Sequence, residues 1–537
     1  MRRAAVICAA GAALLGAPAA AGAEPPRALE LPMALPGDAA AATAAPQDRA
    51  TWIVGARPGP AARAIARRYG ARRVGPPGTG GYVLARARAR DLAAALRAQG
   101  LLVYAQPNTL AERLQAVPAD PLTAPPNDWR ARVADPALAP PPVTPQSPLI
   151  ALVDSQLDPT HPEFAGGATI TLPELPVTNS HGTATASVAA APVNGVGIAG
   201  VWPGARAVNL PLPEHITCAH SADRIGTAIR QGAAVINMSY GSQSPCLPEY
   251  IALQNAVARG IVAVAAAGNE FAEGNPLEFP ASLPHVVTVA AVGPGLQSSF
   301  FSNANAAIDL SAFGEAIMTA VPPALDADGV PDGWELQSGT SFAAPMVAAA
   351  VAWVRAARPD LSADQVAQAI RLSATDVGRP GWDTATGFGV LSVGSALAIP
   401  ASTRDPAEPN DDMMWVDGRA FGRPDRLIFD GRGRQRLTAL LDTFEDPADV
   451  YRVRVRARSR VRVSANPLRS DDVALAGFKG TARSLRARTV DRSARRGRRT
   501  ERITLRNRSR RARTFYVAVA VQPGQRDLDA AYALRVG

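Results

Sequence analysis

The stretch Ser338–Ala350, S-G-T-S-F-A-A-P-M-V-A-A-A, places a serine at the start of a predicted helix. Ser341 follows Gly-Thr and opens a run that is rich in alanine and therefore favours a helix. The dipole of such a helix favours negative charge that develops at its N-terminus. Ser341 is thus a candidate nucleophile, provided that a base and an orienting acid exist elsewhere in the chain.

Two upstream residues meet this requirement. Asp154 ends the apolar run Leu149–Val153, and His181 opens the segment H-G-T-A-T-A-S-V-A-A-A. A lone histidine is usually structural, but the small Gly182 leaves the ring of His181 accessible. Acyl transfer by a serine needs a base for the hydroxyl proton and an acid that orients this base. The chain order Asp154, His181, Ser341 therefore predicts a catalytic triad.

Residues 147–400 alternate short apolar runs with helical runs, which predicts a doubly wound α/β domain with a parallel sheet. The strand-like runs are Leu149–Val153, Ala207–Leu210, Val235–Met238, Ile261–Ala265 and Val286–Val292. The helix candidates between them include Gly182–Ala191, Ala222–Gln231 and Tyr250–Arg259. Asp154 then stands at the carboxyl end of a strand, where the active sites of open parallel sheets collect.

Different patterns flank this domain. Residues 24–50 predict a flexible lead, residues 51–115 a small α+β unit, and residues 116–146 a linker rich in Pro and Ala. Residues 401–537 alternate strand-like runs with turns of Asp, Asn, Gly and Pro, which predicts an all-β sandwich. The chain is thus expected to carry a second folded unit on each side of the α/β domain.

The N-terminus has the pattern of a secretory signal. Arg2 and Arg3 precede the short apolar run Ala4–Leu15, and Ala21–Ala23 offers an A-x-A cleavage pattern. Residues 1–23 are therefore predicted to be a signal peptide, too short in its apolar part for a membrane span. No later run is expected to span a membrane, so we expect a secreted, soluble protein, with cell-surface association left open.

Cysteine usage fits this destination. Cys8 should leave with the signal, so that Cys218 and Cys246 remain in a protein that reaches an oxidising place. An even pair there predicts a disulfide, the alternative being two buried free thiols.

The net charge of +10 is unevenly distributed. By count, residues 1–144 carry roughly +8, residues 145–400 roughly −12 and residues 401–537 roughly +14. The arginines lie on the two flanking segments and not as a basic patch with aromatics on a binding fold. We therefore expect solvated arginine faces and no nucleic-acid partner.

The motifs together resemble those of the subtilase (subtilisin-like serine protease) family over about residues 145–395. The resemblance rests on Ile150–Ser155, His181–Thr183, Gly197–Ala205, Val235–Gly241, Ala265–Glu270, Phe301–Asn303, Gly339–Pro345 and Gly387–Leu391, which follow one another in family order. It implies a subtilisin-like fold and a serine endopeptidase that acts on protein or peptide substrates, needs no cofactor for chemistry and is a monomer.

The resemblance also implies roles for residues around the triad. Asn269 looks like the oxyanion donor, with the backbone N–H of Ser341 as its partner. The first substrate subsite would have two walls. One is an edge strand that pairs with the substrate backbone, formed by Ser239, Tyr240 and Gly241. The opposite wall is formed by Ala266, Ala267 and Gly268. The small side chains of Ala266, Ala267 and Gly268 predict a large hydrophobic or aromatic substrate side chain. Structural calcium is common in the family, but the sequence places no site.

The flanking units resemble parts that accompany such proteases. Residues 51–115 look like an inhibitor-like propeptide, and their positive charge complements the acidic α/β domain. The resemblance implies a precursor that its own propeptide inhibits. Residues 401–537 resemble the bacterial pre-peptidase C-terminal domain, in which the Asp and Asn clusters are either turns or a weak calcium site.

Two other functions remain as alternatives. A catalytically silent binding protein on the same fold is favoured only by Gln156, which stands where the family usually has Gly and was expected to reshape the active-site rim. A lipase or esterase would need a G-x-S-x-G elbow, which the G-T-S-F-A segment around Ser341 does not match. His161 is predicted to be structural, and His215, His220 and His285 lie in no motif, so none was expected to ligate a metal.

Overall fold

The computed structural model describes residues 47–74, 81–109, 120–123, 127–172, 174–405, 407–443, 446–468, 472–522 and 529–537. The predicted signal peptide and most of the predicted lead lie outside these ranges. The chain divides into two compact units, Met1–Gln115 and Ala116–Gly537.

The first unit is a four-stranded antiparallel sheet with two helices. Its elements are β1 (Gln47–Ala56), α1 (Pro60–Arg68), β2 (Arg72–Val74), β3 (Gly81–Ala85), α2 (Arg86–Ala98) and β4 (Leu102–Thr109), in the sheet order β2-β3-β1-β4. Fully buried Leu92 and Leu96 of α2 pack with Val54 and Tyr82 of the sheet. This is the predicted α+β architecture, to which the structure adds the short strand β2.

The α/β part of the second unit contains seven helices and nine strands among the described residues. They are α3 (Trp129–Val133), β5 (Ile150–Asp154), β6 (Thr169–Thr171), α4 (His181–Ala190), β7 (Ala207–Pro211), α5 (Cys218–Arg230), β8 (Val235–Met238), α6 (Leu247–Val257), β9 (Val262–Ala266), β10 (Val286–Val292), β11 (Leu310–Phe313), β12 (Ile317–Ala320), β13 (Trp334–Gln337), α7 (Thr340–Ala357), α8 (Ala363–Leu372) and α9 (Val393–Ala398).

Seven of these strands form one parallel sheet in the order β11-β10-β9-β8-β5-β7-β6. Successive side chains of β5 point to opposite faces. Ile150 and Leu152 join the apolar layer that contains α4 and α7, whereas Ala151 and Val153 join the layer that contains α5 and α6. Burial on both faces explains why β5 reads as a continuous apolar run, and it confirms the doubly wound fold.

The carboxyl end of β5 lies at a switch point of the sheet. β5 pairs with β7 on one side and with β8 on the other, and the strands that follow it in the chain lie on both sides of it. Loops that follow β5, β8 and β9 therefore meet at this edge, which is where ligands bind in open α/β sheets.

The C-terminal part of the second unit is a β-sandwich, as predicted. It contains α10 (Met413–Val416), β14 (Gln435–Asp442), β15 (Ala448–Val455), β16 (Ser459–Pro467), β17 (Val473–Lys479), β18 (Thr489–Ser493), β19 (Glu501–Asn507), β20 (Arg513–Val521) and β21 (Asp529–Val536). Two antiparallel sheets have the orders β14-β21-β16-β19 and β15-β20-β17-β18. Inward side chains of both sheets share one core, for example Leu441 and Val463 with Val453 and Val517.

A buried arginine joins the sandwich to the α/β part. Arg371 of α8 lies 2.6 Å from Asp309, which precedes β11, and 2.8 Å from Asp442 at the end of β14. All three side chains are less than a tenth exposed. The two parts accordingly belong to one compact unit and not to independent domains.

By length and hydropathy, α7 is the single helix of the described residues that would suffice to cross a membrane. The expectation that no later run is long and apolar enough is wrong in this respect. However, 78% of the helix is buried inside the fold, which is typical of a core helix in a water-soluble protein.

Candidate active site

The structure brings Asp154 and His181 into direct contact. Asp154 ends β5 and is 5% exposed, and His181 is the first residue of α4. Asp154 Oδ1 accepts a hydrogen bond from His181 Nδ1 at 2.7 Å, while Thr185 Oγ1 donates to Asp154 Oδ2 at 2.9 Å. The pair leaves the Nε2 atom of His181 available to take a proton, as a general base requires.

Two opposing effects set the pKa of His181. Burial of the imidazole lowers this pKa, but the charge of Asp154 and the hydrogen bond to it outweigh burial and raise the pKa above its ordinary value. The side chain is 34% exposed, so one edge of the ring still faces the surface. Substrate thus has access to a base that Asp154 has made stronger.

A small polar network fixes the start of α4 on the end of β5. Ser155 Oγ donates to Asn179 Oδ1 at 2.6 Å and accepts from Gly182 N at 2.8 Å. Asn179 Oδ1 also accepts from His181 N at 3.0 Å. Gly182 is required here, because a Cβ atom at this position would lie 2.1 Å from Ser155 O. The network therefore holds the imidazole at a set distance from Asp154.

Ser341 lies in the first turn of α7. The ring of the next residue, Phe342, lies 5.8 Å from that of His181 between centroids. Ser341 Oγ donates to Ser239 O at 3.4 Å, and among the described residues no hydrogen bond joins it to His181. Hydrogen bonds between a nucleophile and its base often tighten only when substrate binds. The structure thus shows the Asp154–His181 contact, whereas Ser341 as the third member of the triad stays a prediction.

Asn269 is held beside the start of α7 through its side-chain oxygen. Asn269 Oδ1 accepts from Thr340 N at 2.9 Å and from Thr340 Oγ1 at 3.0 Å. Because the oxygen is occupied, the Nδ2 group remains as a donor, and the residue is exposed. An amide donor next to the N–H of Ser341 is the arrangement that an oxyanion requires.

Both predicted wall segments contact the start of α7. Ser239 Oγ donates to Ser341 O at 2.9 Å, and Gly268 N donates to Thr340 Oγ1 at 3.2 Å. Ser239, Tyr240 and Gly241 follow β8 directly, and the structure does not assign them to an edge strand. Tyr240 OH donates to Glu249 of α6 at 3.0 Å, so only the backbone of Tyr240 remains for a substrate.

A carboxylate lies between the wall segments. A Cβ atom built on Gly241 would be 2.7 Å from Glu278 Oε2, and one built on Gly268 would be 2.7 Å from Glu278 Cγ. Ala266 and Ala267 are buried behind Gly268. The space that the small wall residues leave is therefore lined by an acidic group, which the prediction of a hydrophobic or aromatic substrate side chain did not include.

Gln156 does not lie on the rim of the site. It is 4% exposed, its Nε2 donates to Thr171 Oγ1 at 2.6 Å and its Oε1 accepts from Leu175 N at 3.1 Å. It thus braces the chain around β6 from inside, and the expectation that it reshapes the active-site rim is wrong. The Asp154–His181 contact forms in its presence, which weakens the argument for a silent protease fold.

Comparison of the sequence with known proteins identifies the family of this chain. A model of the subtilase family matches residues 146–389. A subtilisin from Bacillus pumilus is 31% identical over 239 residues, which are 43% of this chain and 84% of that protein. The chain belongs to the subtilase family.

Fervidolysin from Fervidobacterium pennivorans is another relative of this subtilase. It is 28% identical over 309 residues, 51% of this chain and 44% of fervidolysin, so the chain spans less than half the length of that relative. The crystal structure of fervidolysin, a keratinolytic enzyme related to subtilisin, covers 84% of each chain at 18% identity with a TM-score of 0.48.

The remaining histidines and the cysteines also have defined places. His161 is buried, and its Nε2 lies 3.0 Å from Gly333 O, as expected of a structural residue. His285, which lies in no sequence motif, is 2.9 Å from Asp411 and 3.1 Å from Glu408. Cys218 in α5 and Cys246 before α6 form a disulfide.

A cluster of buried carboxylates in the sandwich has the composition of a cation site. Ligand atoms of Asp405, Glu408, Asp446 and Asp449 lie within 4.8 Å of one another, and His285, Glu408 and Asp411 form a second such group. Asp446 Oδ1 and Asp449 Oδ1 are buried without a hydrogen-bond partner among the described residues. Clustered carboxylate oxygens are the ligands that calcium prefers. The residues present therefore fit the calcium that the family resemblance implies, in the part of the chain where the sequence left turns and a weak calcium site as alternatives.

Proposed function

We propose that this subtilase is a serine endopeptidase that hydrolyses peptide bonds through an acyl-enzyme. The observation that carries the proposal is the Asp154–His181 contact of 2.7 Å beside the start of α7, where Ser341 lies. The peptidases of its own family support the same activity. Its substrates would be proteins or peptides bound along the segment Ser239–Gly241.

In this proposal, Nε2 of His181 takes the hydroxyl proton of Ser341 while Ser341 Oγ bonds to the peptide carbonyl carbon. Asp154 stabilises the imidazolium that forms. Asn269 Nδ2 and the N–H of Ser341 donate to the oxyanion of the tetrahedral intermediate. The imidazolium then gives its proton to the leaving amine, and a water, deprotonated by His181, hydrolyses the acyl-enzyme and restores the serine.

A fluorophosphonate probe tests this function, since it reacts only with a serine that a base activates. We expect the mature protein to be labelled on Ser341, with peptide hydrolysis lost in proportion. Mass spectrometry of the labelled peptide identifies the residue. Protein that is folded and free of its propeptide but neither labelled nor active would support the silent binding protein instead.

Asn269→Ala is expected to lower kcat by roughly 10²–10³ with little change in KM, a magnitude known from the equivalent amide of subtilisin. The amide acts on charge that exists only in the transition state, so its loss spares substrate binding. Steady-state kinetics on one peptide separates kcat from KM. An equal loss carried in KM would assign Asn269 to substrate binding.

We further propose that the protein is secreted as an inactive precursor and that residues 51–115 inhibit it until they are cleaved. The N-terminal signal pattern and the Cys218–Cys246 disulfide support an oxidising destination. The roughly +8 charge of residues 1–144 against roughly −12 for residues 145–400 supports attraction between the propeptide and the peptidase.

We also propose that the carboxylates Asp405, Glu408, Asp446 and Asp449 hold a structural calcium ion. It would neutralise their mutual repulsion and take no part in the chemistry. The protein should therefore unfold at a higher temperature in calcium than in a chelator, with about 2.7 kcal/mol of added stability at a calcium concentration of 100 Kd. Calorimetry of the mature protein in both buffers measures the shift.

A matched variant makes the calcium prediction specific. Asp449→Asn should abolish the calcium shift, while the variant in chelator should unfold no earlier than the parent in chelator, because it has lost one of several repelling charges. Asp430→Asn, an exposed change in the same sandwich, should leave the shift intact. A shift that survives Asp449→Asn would place the ion elsewhere.

A further inference from the structure

We propose that the first subsite of this subtilase binds a cationic side chain, arginine or lysine, against the carboxylate of Glu278. This inference rests on the proposed peptidase activity, because it names the residue on the acyl side of the cut bond. It replaces the hydrophobic or aromatic preference that the small wall residues predicted.

Glu278 is placed where such a side chain would end. The same side chain reaches both walls: its Oε2 would lie 2.7 Å from a Cβ on Gly241, and its Cγ 2.7 Å from a Cβ on Gly268. A side chain at Gly241 would have to displace the carboxylate of Glu278, so this glycine makes room for it. A side chain at Gly268 would meet Asn303 Nδ2, Glu270 Oε2 and the stem of Glu278. Since both walls contact the start of α7, the space between them opens beside Ser341.

The backbone around Glu278 is fixed. Ser242 N donates to Phe279 O at 2.9 Å, and Phe279 N donates to Ser242 O at 2.8 Å. This two-way pairing ties the residue after Glu278 to the residue after Gly241. Ser282 N also donates to Glu278 O at 2.8 Å. The carboxylate is therefore held against the wall and not carried on a free loop.

The carboxylate of Glu278 has no protein partner among the described residues, although its oxygens are not fully shielded from solvent. The residue is 5% exposed, and among the described residues no hydrogen bond or ion pair to its carboxylate is found. The neighbouring Glu270 differs, because its Oε2 accepts from Asn269 N at 2.7 Å and from Asn303 Nδ2 at 3.3 Å. Burial first, and the charge of Glu270 second, raise the pKa of Glu278. An incoming cation would supply the missing partner.

The chemistry of the two carboxylates discriminates between substrate side chains. A guanidinium or ammonium group on a long apolar stem can pass between the walls and pair with Glu278, as the carboxylate in the equivalent pocket of trypsin pairs with its substrates. A large neutral side chain would cover the carboxylate without pairing it, which is costly. An acidic side chain would meet two like charges, Glu278 and Glu270.

The experiment compares peptides that differ only in the residue before the cut bond: Arg, Lys, Leu, Phe, Ala and Glu. We expect the highest kcat/KM for Arg and Lys and the lowest for Glu. Glu278→Gln should lower kcat/KM for the Arg peptide roughly 10²-fold, since it removes one partner of a desolvated charge pair, and leave the Leu peptide unchanged or faster. Glu273→Gln, an exposed change in the same loop, should alter neither.

A second measurement needs no variant. In the unmodified protein, the ratio of kcat/KM for the Arg peptide to that for the Leu peptide should fall as pH is lowered and Glu278 takes up a proton. His181 affects both peptides equally and cancels in the ratio. Glu270 is the other carboxylate that acts on Glu278, and its charge contributes to raising the pKa of Glu278.

The outcomes distinguish a failure of the proposed subsite from a failure of the proposed peptidase function. Two results would overturn the proposed cationic subsite and leave the proposed peptidase activity intact. One is efficient hydrolysis with a preference for the Leu or Phe peptide. The other is hydrolysis of the Ala peptide alone, because Glu278 merely fills the space. Absence of all hydrolysis and of fluorophosphonate labelling overturns the proposed function. In that case benzamidine binding to the protein, measured by calorimetry and lost in Glu278→Gln, still decides whether the site holds a cation.

Discussion

A chain that carries Ser341→Ala is expected to lose about 10⁶-fold in kcat, the loss known for the nucleophile of subtilisin. Without Oγ no acyl-enzyme forms, and His181 and Asn269 have no covalent intermediate on which to act. Ser341 Oγ makes only one long hydrogen bond, of 3.4 Å to Ser239 O, so the fold should survive. Peptide hydrolysis measures the loss, and gel electrophoresis should show a precursor that retains residues 51–115.

A control variant and a possible contrary result make this prediction specific. Ser338→Ala removes an exposed hydroxyl three residues earlier, whose oxygen accepts from Ala316 N, and should leave kcat and maturation nearly unchanged. If the Ser341→Ala chain is processed to the mature length in a host without other proteases, the precursor is not cleaved by its own active site.

The second large effect is expected from Asp154→Asn, with kcat falling about 10⁴-fold, as the same change does in a serine protease of another fold. The amide of Asn would donate to Nδ1 of His181, which moves the ring proton to Nε2 and blocks that atom as a base. The shape of the site is retained, because Asn can keep the contact with Thr185. The kcat of the purified variant, calculated per active site that the fluorophosphonate probe labels, measures the loss.

The pH dependence of the residual activity distinguishes the loss of the Asp154 charge from misfolding. His181 must be neutral to act, so activity is present above its pKa and lost as pH falls through it. Asp154 raises that pKa, and removing the charge should move the acid limb of the residual activity to lower pH. Asp158→Asn, four residues along the same loop, should keep the parental limb. A variant with parental kcat would show that Asp154 does not orient the base.

The long buried elements could be predicted from sequence because burial alone shapes their pattern. β5, β8, β9 and β10 are covered on both faces and read as apolar runs, and α7 follows a serine motif. β2, β6, β12 and β13 were not predicted, since these strands have three or four residues that are not all buried and carry too little periodicity. β11 was also missed, although it is as short and as buried as β8. Short edge elements are defined by their partners, which a single sequence does not display.

The same distinction holds at the site. Asp154, His181, Asn269 and Ser341 each stand in a local motif, so their roles could be predicted from the sequence. Glu278 was missed because it is identified only by its contact with Gly241, from another loop. Asn179 and Thr185 were missed for the same reason, although their spacing of two residues before and four after His181 was an available signal. Sequence reasoning finds reacting groups more readily than the side chains that select substrates.

Arg371 limits how the peptidase part and the sandwich could have been lost or exchanged during evolution. Its guanidinium is shared between Asp309 of the peptidase part and Asp442 of the sandwich, so a gene that lost the sandwich would leave a buried charge cluster open to water. The two parts cannot then have been exchanged as interchangeable modules without compensation. Relatives that end near residue 400 should have replaced Arg371, Asp309 or both, whereas those that keep the sandwich should retain all three.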